Sequence, residues 1–314
     1  MRWKPSSPNS ASAGFTLVEL LVAAAIALAL LGLAFGLVIS NRRVYHLDRA
    51  RTAVNQNLRA ALDLIGADIR QAGERLPASF PAVLVEDGGS KDELALRKNL
   101  LDEVLPVCKD VNGNQDVVFI NAPGSSPPSN PACVKVDDNG NGWDDRHEAW
   151  RDYRCRQDGV PGCQGNEREV ARVYIYDPVD DKGEWFTYDA DDMSQFKVHK
   201  QSTAHWTHNY DADHHPRLYL LQERRYRLTG DVLELVLNGD ATHPLKLVDR
   251  IQRFEVTVKL QGEATPRMSF EAGDPWTRIE AVNVELEAEE GYGRGKSVVR
   301  ALSGRYFPRN VLSH

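Results

Sequence analysis

Basic residues never gather in this chain. There is no long Lys/Arg tract, and 38 basic residues are outweighed by 45 acidic ones, for a formal charge of −7. That balance argues against a nucleic-acid binder; a solvated acidic surface accounts for it. Motifs of common catalysts are missing too, with no H-E-x-x-H, no G-x-S-x-G and no phosphate-cradling P-loop. The chain is accordingly expected not to be an enzyme. Cysteine is scarce: Cys108, Cys133, Cys155 and Cys163 are the only four, and none forms a C-x-x-C pair. In an exported domain an even number points to two disulfides with three possible connectivities. Cys155 and Cys163 flank the Gly/Pro turn of "CRQDGVPGC" and pair readily, leaving Cys108 with Cys133; buried free thiols are the alternative.

Long apolar stretches are equally rare, but one is prominent. Between Phe15 and Ile39 the 25 residues carry a single charge, Glu19. As a helix such a run spans about 37 Å, enough for a ~30 Å hydrocarbon core. A secretory signal would place small residues after the apolar core; here "SASAG" precedes it. Cleavage there leaves the hydrophobic helix on the mature chain. Arg2 and Lys4 precede the helix and Arg42 and Arg43 follow it, so flanking charge does not fix orientation. The expected disulfides place the C-terminal part outside. A carboxylate inside such a helix is costly and marks function by default; in the first helical turn it gains from the helix dipole.

The stretch "G-FTLVE-LLVAAAIALALL", behind a short basic leader, resembles the class III signal of type IV prepilins. The resemblance implies that a prepilin peptidase cuts between Gly14 and Phe15 and methylates the new amine of Phe15. Loss of Arg2 and Lys4 would take the side-chain charge from −7 to −9. It also gives Glu19 a partner, the N-terminal amine of a neighbouring subunit, in a pair that sets filament register. The implied partners are the peptidase, other major and minor pilins through the N-terminal helix, and the inner membrane before assembly. The implied location is the inner membrane, single-pass with the C-terminal domain outside, and then a pilus or pseudopilus.

Beyond Ser40, Val44, Leu47, Val54, Leu58, Leu62, Ile65 and Ile69 recur at threes and fours, with Arg49, Arg59, Asp63 and Arg70 between them. This is an amphipathic continuation of the same helix, stopped near Gly73 and Pro77. Gly32 and Gly36 either loosen the helix or allow close packing. The remainder reads as strands: two around the Gly-rich turn of "AVLVEDGGSKDELALR", then "DVVFINA", "REVARVYIYD", "PRLYLLQERRYRL", "DVLELVLN", "RFEVTVKLQ" and "RIEAVNVELEAEE". A hairpin is expected to turn at Thr229–Gly230–Asp231. Residues 106–169, rich in Pro, Ser, Asn and Gly, read as a long irregular loop that needs staples.

The class is therefore α+β. The resemblance makes it a pilin fold: a long N-terminal helix with a membrane-spanning first half, packed on an antiparallel sheet, with a disulfide-stapled loop insertion. Its expected parts are a leader (1–14), a membrane and filament-core half-helix (15–40), an amphipathic half (41–73) and an extracytoplasmic β-rich domain (74–314). "LDLIGADIRQAGERLP", "LVDRIQRFEVTVKL" and "RYFPRN" resemble the PilW branch of large minor pilins, related to the J-type pseudopilins of type II secretion. The function implied is a minor pilin at a filament tip, or a pseudopilin of a secretion or DNA-uptake system.

One further motif stands apart. "DDNGNGWDDRHE" fits the calcium-loop pattern D-x-N-x-N-G-x5-E. Asp137, Asn139, Asn141, the Trp143 carbonyl, Asp145 and Glu148 would supply oxygen ligands to Ca2+, with Gly142 at the sharp turn. Asp144 departs from the pattern, which wants an aliphatic residue there, and no flanking helix pair is evident. An Asn/Gly-rich turn is the alternative reading. "DVNGNQD", from Asp110, lacks the turn glycine and final Glu and reads as a turn. Finally, His199, His205, His208, His214 and His215, with Asp211 and Asp213, form a polar loop whose imidazoles suit zinc. A membrane-tethered metal-binding protein or hydrolase is thus the reading of a different class, with a solvated loop the simpler account.

Overall fold

The computed structural model describes residues 16–122, 130–157, 169–201, 205–293 and 295–313. Helix α1 (Leu17–Gln71) is followed by β1 (Val83–Glu86), β2 (Glu93–Asn99), β3 (Leu105–Pro106) and β4 (Val117–Phe119). Helix α2 (Asp145–Cys155) leads into β5 (Ala171–Asp177), β6 (Lys182–Asp192), β7 (Lys197–Lys200), β8 (Arg217–Tyr219), β9 (Leu221–Thr229) and β10 (Val232–Leu237). The chain closes with β11 (Leu245–Val248), β12 (Ile251–Leu260), β13 (Ile279–Gly293) and β14 (Lys296–Tyr306). It forms two units, residues 1–53 with 290–298, and residues 54–289 with 299–314.

In the first unit the described part of α1 is apolar and bare. Leu17 is 77% exposed and Val38 48% exposed, and the helix runs on through Gly32 and Gly36 without interruption. No other helix among the described residues is long and apolar enough to cross a membrane.

In the second unit the remainder of α1 turns one face inward. Val54, Leu58, Leu62, Ile65 and Ile69 are buried, whereas Arg59, Asp63 and Arg70 stay exposed. The stripe read from sequence therefore takes effect only from Val54; Val44 is exposed and Leu47 half-buried. The helix packs on antiparallel sheets. Leu94, Leu96, Tyr226, Leu228, Leu233 and Leu235 come from the sheet β1-β2-β9-β10-β11, and Phe254, Val256, Val282 and Val284 from β12-β13-β14. Each such side chain contributes about 1.5–3 kcal/mol by leaving water. A six-stranded sheet, β3-β8-β5-β6-β7-β4, carries a second core around Val118, Trp150, Val173, Ile175, Phe186, Tyr188 and Trp206. Strand β5 is buried on both faces, Val173 and Ile175 in the second core and Tyr174 and Tyr176 in the first.

Polar anchors fix the helix end. The Tyr306 hydroxyl donates to the Leu62 carbonyl at 2.9 Å, its ring lying where a Cβ on Gly66 would sit. Asn310 donates to the Gln71 and Ala72 carbonyls, capping groups that a helix C-terminus leaves unpaired. Gly73 then adopts φ +80°, with the Trp276 ring 2.3 Å from where a Cβ would be; only glycine fits both demands. Asp68 accepts from Arg224 at 2.8 Å and from the Tyr226 hydroxyl, tying α1 to β9.

The hairpin turns where expected, with Thr229 paired to Val232. "PRLYLLQERRYRL" is divided at Leu220: β8 joins the six-stranded sheet and β9 the five-stranded one. Disulfide Cys108–Cys133 is present, with Cα atoms 5.8 Å apart. Cys155 is also disulfide-bonded, and Cys163 lies outside the described residues. Within 106–169 the described residues form β4 and α2, which the composition does not announce.

Candidate functional sites

Gly14 and Phe15 lie outside the described residues. Immediately after them, Thr16 and Glu19 form a reciprocal cap on α1. The Thr16 N–H and hydroxyl both donate to Glu19 Oε2 at 3.0 Å, and the Glu19 N–H donates to Thr16 Oγ1 at 3.2 Å. This is a capping box, a Thr at N-cap and an acid three residues on, which satisfies helix N–H groups that otherwise lack partners. Sequence reading placed Glu19 correctly in the first turn but missed Thr16. The T-x-x-E spacing was the available signal.

The loop from Asp137 to Glu148 runs directly into α2, so an exiting helix, not evident from sequence, does follow it. Its ligand-type side chains converge. Asn139 donates to Asp145 at 2.7 Å and to Glu148 at 3.0 Å, and Asn141 reaches both Glu148 oxygens at 2.9 Å. The Gly142 N–H donates to Asp137 Oδ2 at 3.1 Å, with Gly142 at φ +91°. Trp143 is present at the next position with its N–H on Asn141 Oδ1, 2.8 Å away. Lys135 donates to Asp137 Oδ2 at 2.8 Å and approaches the Gly142 carbonyl at 3.3 Å. Its hydrogen bond holds the Asp137 carboxyl below the usual range.

Asp144, the departure from the calcium-loop pattern, has a structural explanation. It is fully buried, caps α2 through the Arg146 N–H at 3.1 Å and pairs with the Arg146 guanidinium at 2.7 Å. Burial pushes its carboxyl up, but Arg146 outweighs this and the net shift is downward. Arg146 also donates to the Ala132 and Val134 carbonyls, clamping α2 to the segment after Cys133. On the far side, α2 buries His147, Trp150 and Arg154, and Asp191 accepts from His147 at 3.1 Å and from Arg154 at 2.7 Å.

The histidine loop does not form the cluster its sequence suggests. His214 pairs with Asp177 at 3.0 Å and lies 3.7 Å from Asp180, partners distant in sequence, while Asp211 accepts from the Asp213 N–H in a local turn. Asp177, Asp180 and His214 are close enough to share an ion. Lys182, however, sits 2.5 Å from Asp180 and 3.8 Å from Asp177 and offsets one of their two charges. His208 stacks edge-on to Tyr210, and His215 takes φ +57° after a short 3-10 turn. In "DVNGNQD", Asp110 accepts from the Ala212 N–H and Asn112 bonds Gln115, a turn.

Among known protein families, the prokaryotic N-terminal methylation motif matches residues 9–35. No curated protein and no solved structure matches the chain. The matched segment extends well into the exposed apolar helix. The match supports a type IV pilin-like protein, with a pilin- or pseudopilin-type signal for prepilin processing, and it fits single-pass membrane anchoring.

Proposed function

We propose that this chain is a minor pilin of the large PilW-like kind, which starts or decorates the tip of a type IV filament. The observation that carries this reading is the methylation motif, continuous with a capped, bare apolar helix that leads into a β-rich unit. Cleavage between Gly14 and Phe15 would free an amine, and Glu19 would pair with that amine on a neighbouring subunit. The size of the domain and its irregular insertion suit a rare terminal subunit better than a tightly repeated shaft protein. A pseudopilin of a type II secretion or DNA-uptake system is the alternative consistent with the same motif.

The reading is tested in two steps. Mass spectrometry of the mature chain should find methylated Phe15 at the N-terminus; an intact Met1 defeats it. Glu19→Lys should then be cleaved normally yet fail to co-purify with sheared filaments, and normal incorporation would refute the pairing.

A further inference from the structure

The loop 137–148 was singled out by its sequence, and the filament reading gives it no task. Three carboxylates belong to its ring of ligand-type residues, those of Asp137, Asp145 and Glu148, and among the described residues Lys135 is the ammonium that contacts them. One ammonium offsets one of those three charges. Asp137 adds a more specific sign. Its side chain is only 15% exposed, and its buried Oδ1 has no hydrogen bond of good geometry among the described residues, although Oδ2 is held by Lys135 and Gly142. A buried carboxylate oxygen left unpaired is costly unless something cationic meets it. Both ends of the loop are fixed independently of any ion. The Cys108–Cys133 disulfide and the Arg146 clamp hold the entry, and α2 docked through Trp150 holds the exit.

We infer that this loop is a binding site for one calcium ion. The ion would be ligated by the Asp137, Asn139, Asn141, Asp145 and Glu148 side chains and the Trp143 carbonyl, and it would displace the Lys135 ammonium. The donor set is all oxygen, which suits a hard cation and not zinc. A terminal Glu able to bind through two oxygens favours calcium's larger, more flexible shell over the compact octahedron of magnesium. Both asparagine amides turn their NH2 groups toward Asp145 and Glu148; rotating them presents oxygen to the ion. Lys135 acts as a tethered competitor, so affinity falls in the range of extracellular modules, on the order of 10⁻⁴ M.

The test is a calcium titration of the full chain in detergent, followed by calorimetry and by tryptophan fluorescence, to which Trp143 contributes as one of six emitters. One equivalent of calcium should bind saturably and raise the melting temperature, with magnesium at least about tenfold weaker. Glu148→Gln should weaken calcium at least about tenfold, and Lys135→Met should tighten it severalfold. The latter is a gain that a folding defect cannot mimic. The inference is overturned by no heat and no change in melting up to about 10 mM calcium. Binding left unchanged by both Glu148→Gln and Asp137→Asn overturns it too, because the ion is then elsewhere.

Discussion

Replacing Glu223 with Gln should strongly destabilise the β-rich unit. Glu223 is 1% exposed and Arg97 6% exposed, and their side chains meet at 2.7 Å between β9 and β2. Arg97 lies 5.1 Å from the centre of the Tyr174 ring, and its guanidinium also reaches the Pro81 carbonyl at 3.4 Å. Glu223→Gln keeps the shape but leaves that guanidinium buried without a counter-charge, at a cost of about 3–5 kcal/mol. For a unit of this size, that lowers the melting temperature by roughly 6–20 °C. Arg97→Met should cost less, because Arg225 already touches the other Glu223 oxygen at 3.3 Å. Urea unfolding of both single variants and the double should give a coupling of about 1–3 kcal/mol. Additivity within about 0.5 kcal/mol would falsify the assignment of a shared buried pair.

The same pair sets an acid limb. Burial raises the Glu223 carboxyl, but Arg97 and Arg225 outweigh it and hold the group below its ordinary 4.5. A depressed folded-state pKa means that the stabilisation is present above the unfolded value and is lost as pH falls through the folded one. Wild-type protein should therefore lose stability increasingly below pH 4.5, and Glu223→Gln should lack this part of the loss. Parallel acid limbs in the two proteins would remove Glu223 from the explanation.

Two further outcomes follow from the geometry. Cys108 and Cys133 are 25 residues apart, so replacing both with Ser should cost about 3.5 kcal/mol from loop-closure entropy; urea midpoints unchanged in that variant would show the staple to be redundant. Gly73→Ala must place a methyl group against Trp276 at a positive φ, costing about 2–5 kcal/mol. A thermal melt indistinguishable from wild type would mean that the turn after α1 can rearrange freely.

The legible parts were those written in local periodicity. Val54 to Ile69 announced a buried face, and Gly230 announced a hairpin, because side-chain spacing alone carries that information. Strand β14 was not recognised because its residues are mostly exposed, and β6, "KGEWFTYDADD", because its acidic end resembles a loop. Helix α2 was hidden by its charge. "DRHEAWRDYRC" has no apolar stripe, and its buried face joins Trp150 to His147 and Arg154, whose partner Asp191 lies 44 and 37 residues away. A pairing across such a distance leaves no local pattern, and the same holds for His214 with Asp177. The calcium-type loop was legible as a list of ligands. Its anchoring was not, because Asp144 read as a departure until its cap and the Arg146 clamp were visible.

The capping box changes how Glu19 is to be understood. A carboxylate near the start of a membrane helix needs compensation before any neighbour arrives, and Thr16 supplies it through two hydrogen bonds to Oε2. Both bonds fall on one oxygen, whereas an ionised carboxylate offers about four acceptor sites over two oxygens. The box therefore does not compete with a cation at Oε1. Under the proposed filament role, Glu19 can keep the helix start intact in the lone subunit and still accept a neighbour's amine on assembly. Local cap and intersubunit pair then use opposite oxygens of one side chain. Glutamate fits both uses, since Gln would preserve an acceptor for Thr16 but remove the charge that draws the amine.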